Sequence, residues 1–286
     1  MVELPESKFG SLLSRLAQVP FNHLFARAVL DGYAAGRVWV DDPARPNFVH
    51  IRTRYGMSLV WGDGGTASPG WQILGRHLRE GHYRIRDEWL QVHLASDAVQ
   101  FDDLIACKTP PPGTQPGGDS CQRYVRLNFR FERRRHYGMS ELRMEPGQRL
   151  RPMTSDEFAL PDVTVSPHLF WANFEQCQAA GGGWCVESNG AVCALAFASF
   201  RSGRQLELGI ETRAAYRRRG YAHLAAQALI NDCLAKDLEP IWSCHGDNSG
   251  SVATARRLGF IDTHRLPYYR LPHVVENGPA IVSNNN

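Results

Sequence analysis

Two kinds of hydrophobic spacing alternate along the chain, and together they predict a protein of mixed α and β structure. Apolar residues at every second position, typical of a half-buried strand, occur over residues 125–131 and 206–210. Apolar residues three or four positions apart, typical of a helix with one buried face, occur over residues 71–78 and 221–229. Asn189-Gly190 separates two further strand patterns, which predicts a β-hairpin.

Helical spacing also predicts helices over residues 7–18, 89–105 and 167–180. Residues 133–136, three arginines and a histidine after a strand pattern, are interpreted as a solvated loop rather than a nucleic-acid site.

The distribution of proline and glycine predicts the domain organisation. Residues 108–120 are rich in both and predict a linker or exposed loop. We therefore expect a smaller α/β domain over residues 1–120, which ends in this linker, and a second domain over residues 121–271. Residues 272–286 end in a polar run and are predicted to be a disordered tail.

Composition restricts the class of protein. The chain has 286 residues, a formal net charge of +3 and 43% hydrophobic residues, which is typical of one or two globular domains. The small net charge gives no indication of a nucleic-acid or membrane partner. Seven cysteines without a C-x-x-C pair favour reduced thiols in a cytosolic, cytoplasmic protein. The N-terminus lacks the apolar segment of a signal peptide, and no apolar run is long enough to predict a membrane span.

The most informative stretch is residues 207–222, where a predicted strand leads through a turn into a predicted helix. Gly220 in this turn allows a ligand to approach the backbone closely. The first amides of a helix have no intrahelical partner and carry a partial positive charge, so they are suited to bind phosphate. Arg217, Arg218 and Arg219 strengthen this interpretation because guanidinium groups pair well with phosphate oxygens.

Arg217-x-x-Gly220-x-Ala222 resembles the Q/R-x-x-G-x-G/A signature of the GNAT superfamily of acetyl-CoA-dependent N-acetyltransferases. The context matches as well, because a strand pattern follows at residues 240–245, then Asn248-x-x-Ser251 and then Leu258-Gly-Phe260. The resemblance implies an α/β (α+β) protein with a C-terminal GNAT fold, in which helices flank a mixed, mostly antiparallel central sheet. It implies an acyltransferase with acetyl-CoA as co-substrate. Whether the first domain is a second, degenerate GNAT half stays open, and the sequence shows no internal repeat.

A finer resemblance covers residues 20–271. The chain is similar to the GNAT branch related to zwittermicin-resistance acetyltransferases, in which an N-terminal region precedes the catalytic domain. This branch implies acetylation of a primary amine on a small molecule, with antibiotics as one class of acceptor. The matching landmarks are residues 27–32, residues 36–41, Glu207-x-x-Ile210-x-Thr212, Pro240-x-Trp242-x-Cys244 and Leu258-Gly-Phe260.

The superfamily pattern also implies which residues bind acetyl-CoA. In that pattern the central strand separates from its neighbour and leaves backbone groups free for the pantetheine arm, which places residues 210–212 at this edge. The amides of residues 218–223 would hold the pyrophosphate, and Asn248 and Ser251 would lie near the arm. Helix capping is the alternative role for Asn248. The implied cofactor-binding residues are therefore Ile210, Glu211, Thr212, Arg217, Arg218, Arg219, Gly220, Tyr221, Ala222, His223, Asn248 and Ser251.

Attack of an amine on a thioester requires aligned substrates, a proton acceptor and stabilisation of the developing oxyanion. Glu207 and Glu211 share the parity of one strand, so both are candidate catalytic bases unless a bulge intervenes. Many GNAT enzymes carry a tyrosine seven residues after the Asn of the second motif, and this position is Ala255 here. Tyr268 or its neighbour Tyr269 is the candidate replacement as proton donor, with a packing role as the alternative.

The function is left open between two classes. The first is an enzyme that acetylates a small-molecule amine, works as a monomer or homodimer, and needs no nucleic acid or membrane. The second is a non-catalytic acyl-CoA-binding sensor or interaction module, which the missing motif tyrosine favours. An acetyltransferase of a protein or peptide amine is a further alternative. We expect no metal, because Cys244 and His245 are adjacent on a predicted strand and point to opposite faces.

Overall fold

The computed structural model describes residues 1–94, 98–111, 114, 116–137 and 144–273, and in these residues twelve strands and eight α-helices follow one another. The strands are β1 Val2–Glu3, β2 Gly36–Val40, β3 Phe48–Thr53, β4 Met57–Gly62, β5 Glu88–Leu94, β6 Gln122–Phe131, β7 Gln148–Pro152, β8 Gly183–Ser188, β9 Ala191–Ser202, β10 Gln205–Thr212, β11 Glu239–His245 and β12 Phe260–Leu271. The helices are α1 Leu13–Leu16, α2 Leu24–Leu30, α3 Pro69–Glu80, α4 Ala98–Leu104, α5 Arg133–Tyr137, α6 Phe174–Ala180, α7 Tyr221–Ala235 and α8 Ser249–Arg257.

All twelve strands form one sheet, and its two halves repeat the same order. The order is β1-β2-β3-β4-β5-β12 followed by β6-β11-β10-β9-β8-β7. Each half contains one parallel pair, β4 with β5 and β10 with β11, and its other neighbours are antiparallel. We call β1–β5 with α1–α4 the N-terminal half, and β7–β11 with α6–α8 the C-terminal half. The strand pattern is therefore pseudo-twofold about the contact between β6 and β12.

The two central strands exchange places between the halves. β6 follows the N-terminal half in sequence but inserts between β11 and β12, with Phe129 opposite Trp242 of β11. β12 follows the C-terminal half but pairs with β5, with Tyr268 opposite Gln91. β6 and β12 also pair with each other along nearly their whole length. The N-terminal half therefore needs β12, and the C-terminal half needs β6, to complete its part of the sheet.

One hydrophobic core runs through both halves. Helix α2 packs against β3 and also against β9 of the other half, where the ring centroids of Phe25 and Phe200 are 6.1 Å apart. Helix α7 packs along β8, β9 and β10. A smaller cluster in the N-terminal half joins α3, α4 and β12 through Trp71, Phe101 and Tyr269. The shared core and the continuous sheet hold the two halves in one arrangement.

The structure confirms the predicted hairpin at Asn189-Gly190, the helix over residues 71–78 as part of α3, and the strand over residues 125–131 as part of β6. It also confirms the order of strand, helix, strand and Asn-capped helix from β10 to α8. The expected fold class, a mixed and mostly antiparallel sheet flanked by helices, is confirmed.

The prediction of a helix over residues 89–105 is wrong for its first part. Leu90, Val92 and Leu94 alternate with polar residues, and this segment is strand β5, paired in parallel with β4. Only the second part is helical, as α4. The run of arginines at residues 133–136 is not a loop but helix α5, which turns His136 into the protein interior.

Two other predicted helices are interrupted. Residues 7–18 contain a 3₁₀ helix, Glu6–Leu12, before the single turn of α1. Residues 167–180 contain a 3₁₀ turn, Pro167–Leu169, and then α6, because Asn173 starts a new helix by accepting a hydrogen bond from the Gln176 amide at 2.9 Å.

The predicted division into residues 1–120 and 121–271 stays a prediction, and the sheet continues through that boundary. The predicted disordered tail begins at described residues 272–273, and its remainder, residues 274–286, lies outside the described residues. Among the helices of the described residues, none combines the length and apolar character that crossing a membrane requires.

The central strands predict that the two halves unfold together. Phe129 is 6% exposed and lies between β11 and β12, so we expect Phe129→Ala to lower the free energy of unfolding by about 3–5 kcal/mol. Hydrogen exchange should accelerate in both β3 and β9, since both halves depend on β6. Val125→Ala, on the exposed part of the same strand, should cost about 1 kcal/mol or less. Loss of protection in only one half would contradict this coupling.

Candidate active site

The strands β10 and β11 separate in the middle of the C-terminal half. They pair in parallel only from Gln205 opposite Glu239 to Glu207 opposite Ile241. Beyond Glu207, β10 remains paired with β9 but has no partner in β11 among the described residues. The open wedge therefore exposes backbone N–H and C=O groups, to which an extended amide-containing ligand can hydrogen-bond.

A bulge marks the point where the wedge opens. The register between β9 and β10 shifts between Glu207 and Leu208, because β9 holds Ser199 as an extra residue. The hydroxyl of Ser199 donates to the carbonyl oxygen of Glu207 at 2.9 Å. The bulge thus fixes the backbone where the paired part of β10 ends.

The turn before α7 lies at the mouth of the wedge. Arg218 and Gly220 both have left-handed backbone conformations, with φ of +62° and +81°. Among the described residues, no backbone group accepts from the amides of residues 218–223, since the first helical bond runs from Leu224 to Gly220. A Cβ atom at Gly220 would meet no atom within 4 Å. These features describe a solvent-open helix N-terminus that is suited to bind an anion.

The equivalent place in the N-terminal half is closed. Strands β4 and β5 stay paired from Met57 opposite Trp89 to Gly62 opposite Leu94, so no wedge forms. Helix α3 begins with Pro69, which has no amide hydrogen, and a Cβ atom at Gly70 would fall 2.2 Å from Asp41 Oδ2. The carboxylate of Asp41 therefore covers the helix end that is open in the C-terminal half.

A cavity of about 890 Å³ extends from the α7 turn along the wedge to the centre of the sheet. Its walls come from both halves of the protein. The C-terminal half contributes residues of β10, α7, β11 and α8, whereas Tyr55, Met57 and Trp89 come from the N-terminal half. Arg126 of β6 and Tyr268 of β12 line the cavity between them.

Glu207 lies in the cavity within a network of polar side chains. Its Oε1 accepts a hydrogen bond from the Ser243 hydroxyl at 3.0 Å and lies 3.5 Å from Arg126 Nη2. Arg126 Nη2 also donates to Ser243 Oγ at 2.6 Å. The Glu207 side chain is only 11% exposed, so this network holds a carboxylate at a defined position inside the protein.

Glu211 also lines the cavity, but its carboxylate is occupied by the backbone. Oε2 accepts from the amides of Thr164 and Val165 at 3.2 and 3.1 Å, and Oε1 accepts from its own neighbour Thr212. Arg217 Nη2 lies 3.5 Å from Oε1. Glu211 thus holds the segment that precedes the 3₁₀ turn Pro167–Leu169. Glu207 remains as the carboxylate at the point where β10 and β11 separate.

Tyr268 lines the cavity beside the Glu207 network. Its ring stacks on that of Trp89 at a centroid distance of 5.1 Å, and Arg126 Cζ lies 5.2 Å from the centre of the phenol ring. Burial raises the pKa of the Tyr268 phenol to about 12. Tyr268 thus keeps its proton at neutral pH. Tyr269 instead packs in the hydrophobic cluster beside Phe101, away from the cavity.

The second motif, Asn248-x-x-Ser251, lies at the start of α8, and its two named residues form a helix cap. Asn248 is the N-cap of α8, and its side chain accepts from the Ser251 amide at 3.0 Å. The Ser251 hydroxyl accepts from the Trp242 indole at 3.2 Å. Both residues also line the cavity. Ala255, at the position of the motif tyrosine, is fully buried in the core and does not line the cavity.

The other implied cofactor residues line the cavity, with the exception of Arg219. Ile210, Thr212, Arg217, Arg218, Gly220, Ala222 and His223 line the cavity with Tyr221. Arg219 instead reaches the ring of Tyr216, with Cζ 5.8 Å from its centre. The imidazole of His223 is buried without a hydrogen-bond partner among the described residues, and this burial lowers its pKa to about 4. Cys244 is buried and all seven cysteines are free thiols.

Sequence reasoning missed Arg126, Ser243, His245, Tyr55 and Trp89 as residues of this site. Arg126 occupies a polar position of an alternating strand, which by itself indicates solvent exposure. Only the insertion of β6 beside β11 brings it to Glu207. His245, which lies opposite Arg126 in the ladder, offered one signal in the sequence. It is a polar residue at the end of the strand that leads to the Asn-led helix of the second motif.

Comparison with known proteins agrees with this geometry. Residues 143–269 match the GNAT acetyltransferase family. The uncharacterized N-acetyltransferase YdfB of Bacillus subtilis (strain 168) is 24% identical over 260 residues, which cover 90% of this chain and 94% of the relative. The uncharacterized N-acetyltransferase YjdG of the same strain is 40% identical over 67 residues, or 23% of this chain.

Solved structures show the same fold. A GCN5-related N-acetyltransferase-like protein of Streptococcus suis superposes with a TM-score of 0.65 at 16% identity, covering 93% of this chain and 99% of that protein. A tandem GNAT protein from the clavulanic acid biosynthesis pathway gives a TM-score of 0.59 at 15% identity, covering 95% and 97%. The family match over residues 143–269 and the named N-acetyltransferase relatives support an acyltransferase of the GNAT superfamily, and the solved structures show that the chain has the same fold.

Proposed function

We propose that this protein transfers the acetyl group of acetyl-CoA to a primary amine of a small molecule by direct attack. The observation that carries the proposal is the wedge between β10 and β11, which opens beside the unpaired amides of the α7 turn. A pantetheine arm carries amide groups, which the free backbone groups of the wedge can hydrogen-bond. A pyrophosphate carries negative charge, which the open helix end at the α7 turn can bind. An antibiotic amine, which the zwittermicin-resistance resemblance suggests, is one acceptor of this class.

In this proposal Ile210, Glu211 and Thr212 border the arm, and the turn from Arg217 to His223 holds the pyrophosphate. The fit is supported by the open space around Gly220 and by the amides of this turn, which have no backbone acceptor among the described residues. Arg217 and Arg218 are exposed at this turn and add positive charge. Asn248 and Ser251 support the groove from α8, through the cap that they form together.

Glu207 is the proposed proton acceptor. As the amine nitrogen forms its bond to the acyl carbon and the carbon–sulfur bond breaks, one proton of the amine passes to the Glu207 carboxylate. The departing thiolate takes a proton from Tyr268 or from solvent. The phenol of Tyr268 is protonated at neutral pH, and the rise of its pKa on burial makes it a weaker acid than an ordinary tyrosine. Ser243 and Arg126 keep the Glu207 carboxylate in place during these steps.

A small acceptor is favoured over a protein because Tyr55, Met57 and Trp89 form a wall at the inner end of the cavity. A non-catalytic acyl-CoA-binding module is the second candidate. It is favoured by Ala255, because this position lies in the core and supplies no phenol to the cavity. Release of CoA thiol in the presence of a panel of amines separates the two functions, since a binding module releases none.

The first prediction concerns the α7 turn. We expect the protein to bind one acetyl-CoA per chain in calorimetric titration, because the helix end before α7 is open whereas the equivalent end before α3 is covered by Asp41. Gly220→Glu should abolish or greatly weaken this binding, since the new carboxylate would enter the pyrophosphate position and repel it.

Gly203→Glu is the matched control. Gly203 also has a left-handed φ, +55°, and open surroundings, but it lies in the hairpin between β9 and β10. Both variants therefore place a glutamate at a left-handed, open position, and only Gly220→Glu should lose the ligand. Equal binding by all three proteins would show that the cofactor site lies elsewhere.

The second prediction concerns the base. Glu207→Gln keeps the side-chain shape but removes the proton acceptor, so we expect kcat to fall by roughly 10²–10⁴-fold with unchanged affinity for acetyl-CoA. Glu239→Gln, an exposed substitution on neighbouring β11, should leave both quantities unchanged. An unchanged kcat in Glu207→Gln would mean that another group or solvent takes the proton.

The third prediction separates Glu211 from Glu207. Glu211→Gln weakens the hydrogen bonds to the Thr164 and Val165 amides, so we expect stability to fall by about 1–3 kcal/mol and exchange of these amides to accelerate. Glu207→Gln should not accelerate them. If Glu211→Gln leaves these amides protected and reduces kcat, whereas Glu207→Gln leaves kcat unchanged, Glu211 is the base.

A further inference from the structure

The inner end of the cavity places a carboxylate and a guanidinium side by side. Glu207 Oε1 and Arg126 Nη2 are 3.5 Å apart, and the Ser243 hydroxyl is hydrogen-bonded to both groups. Both side chains are about nine-tenths buried, at 11% and 9% exposure. The proposed transfer uses the carboxylate of Glu207 as a proton acceptor, but it gives Arg126 no task beyond holding that carboxylate.

The guanidinium of Arg126 is only partly satisfied by the protein. Nη2 forms the contacts with Ser243 and Glu207, and the guanidinium also hydrogen-bonds the Tyr268 phenol, whereas Nε is buried and has no hydrogen-bond partner in the described residues. A guanidinium has five N–H donors in a fork that matches a carboxylate. A buried cation with unused donors is unfavourable unless a ligand supplies acceptors. Arg126 therefore indicates an anionic group on the molecule that enters this end of the cavity.

His245 supplies a second donor on the same face. It lies directly opposite Arg126 in the β11–β6 ladder, so both side chains point to the same side of the sheet. Its Nδ1 accepts from the Asp247 amide at 3.2 Å, which places the hydrogen of the neutral ring on Nε2. Nε2 is buried and has no partner in the described residues. Burial also lowers the pKa of His245, which keeps the ring neutral.

Aromatic side chains surround this polar group. Trp89 stacks on Tyr268 at 5.1 Å and meets His245 edge-on at 5.9 Å. Across the cavity, the rings of Tyr55 and Phe170 are 4.8 Å apart. These walls offer apolar and π surface to a side chain of similar character.

We propose that the acceptor is an α-amino acid with an aromatic or large aliphatic side chain, an inference that rests on the proposed acetyl transfer. The α-amine lies at Glu207, the α-carboxylate lies at Arg126 and His245, and the side chain packs against Trp89 and Tyr268. A single carbon separates the two charged groups of such a ligand, which matches the adjacent side chains of opposite charge. The product is the N-acetyl amino acid: the α-ammonium group first gives one proton to solvent, the nitrogen–carbon bond forms as the carbon–sulfur bond breaks, the second proton passes to Glu207, and CoA leaves as a thiolate that takes a proton from Tyr268 or solvent.

The test compares L-phenylalanine with phenethylamine, which differs from it only by the missing carboxylate. Calorimetric affinity is measured with and without CoA, and kcat/KM with acetyl-CoA. We expect phenylalanine to bind at least ~10-fold more tightly than phenethylamine, the size of a charge-assisted hydrogen bond. Equal affinities, or no binding of phenylalanine in either state, would overturn the inference.

Variants of Arg126 exclude a purely structural explanation. Arg126→Gln should remove the preference for phenylalanine over phenethylamine, and Arg126→Lys should keep part of it. Arg130→Gln, on the same strand with a side chain 62% exposed, should keep all of it. If Arg126 only positions Glu207, Arg126→Gln lowers kcat/KM for both acceptors by the same factor and leaves their ratio unchanged, which contradicts the proposal.

Failure of the two proposals gives different results. If acetyl-CoA does not bind or no amine releases CoA thiol, the proposed acetyl transfer is wrong, whereas the affinity ratio of the two acceptors still tests the Arg126 site. If phenethylamine is acetylated as efficiently as phenylalanine, the transfer stands and the amino-acid inference falls.

Discussion

The ladder between β6 and β12 is the contact on which the rest of the structure depends. β6 follows the N-terminal half in sequence but completes the sheet of the C-terminal half. β12 follows the C-terminal half but completes the sheet of the N-terminal half. The exchange sets Arg126 opposite His245 and brings Tyr268 against Trp89, so the inner end of the cavity exists only when both halves are joined. Side chains of a strand alternate between the two faces of the sheet, so a slip of this ladder by one residue would turn these side chains to the opposite face.

The two halves have one strand pattern but differ in three local features, and these features are the reason we propose that acetyl-CoA binds in the C-terminal half. The C-terminal half has a wedge beyond Glu207, a bulge at Ser199 and a glycine at the helix entrance. The N-terminal half keeps β4 and β5 paired, and its helix end is covered by Asp41. In the proposed function the C-terminal half therefore holds the acyl donor, while the N-terminal half supplies the wall against which the acceptor packs. The repeated topology supports descent of the first half from a degenerate GNAT unit, which we propose rather than infer from any repeat in the sequence.

Short-range signals predicted the parts of this molecule that are local in the chain. The β10–α7 turn was predictable because its glycine, its arginines and the period change from two to nearly four all lie within sixteen residues. Asn248 was predictable for the same reason, as a cap three residues before its partner amide. Trp89 was assigned to a helix because its segment fits both periods, and only the parallel pairing with β4 makes it a strand. Arg126 looked solvent-exposed because alternation gives no information about which strand lies next to it.

The polar groups at the centre of the sheet explain how stability and function are connected. Arg126 Nε, His245 Nε2 and Asn128 Nδ2 are buried on β6 and β11 without hydrogen-bond partners in the described residues. Each such group lowers the stability of the ligand-free protein by about 1–3 kcal/mol. The core on either side of these strands is closely packed and apolar, so the fold itself does not require these donors. Arg126 and His245 line the cavity, so the cost of their unpartnered donors is regained when a molecule with suitable acceptors enters it, and this favours a ligand with an anionic group over a plain amine.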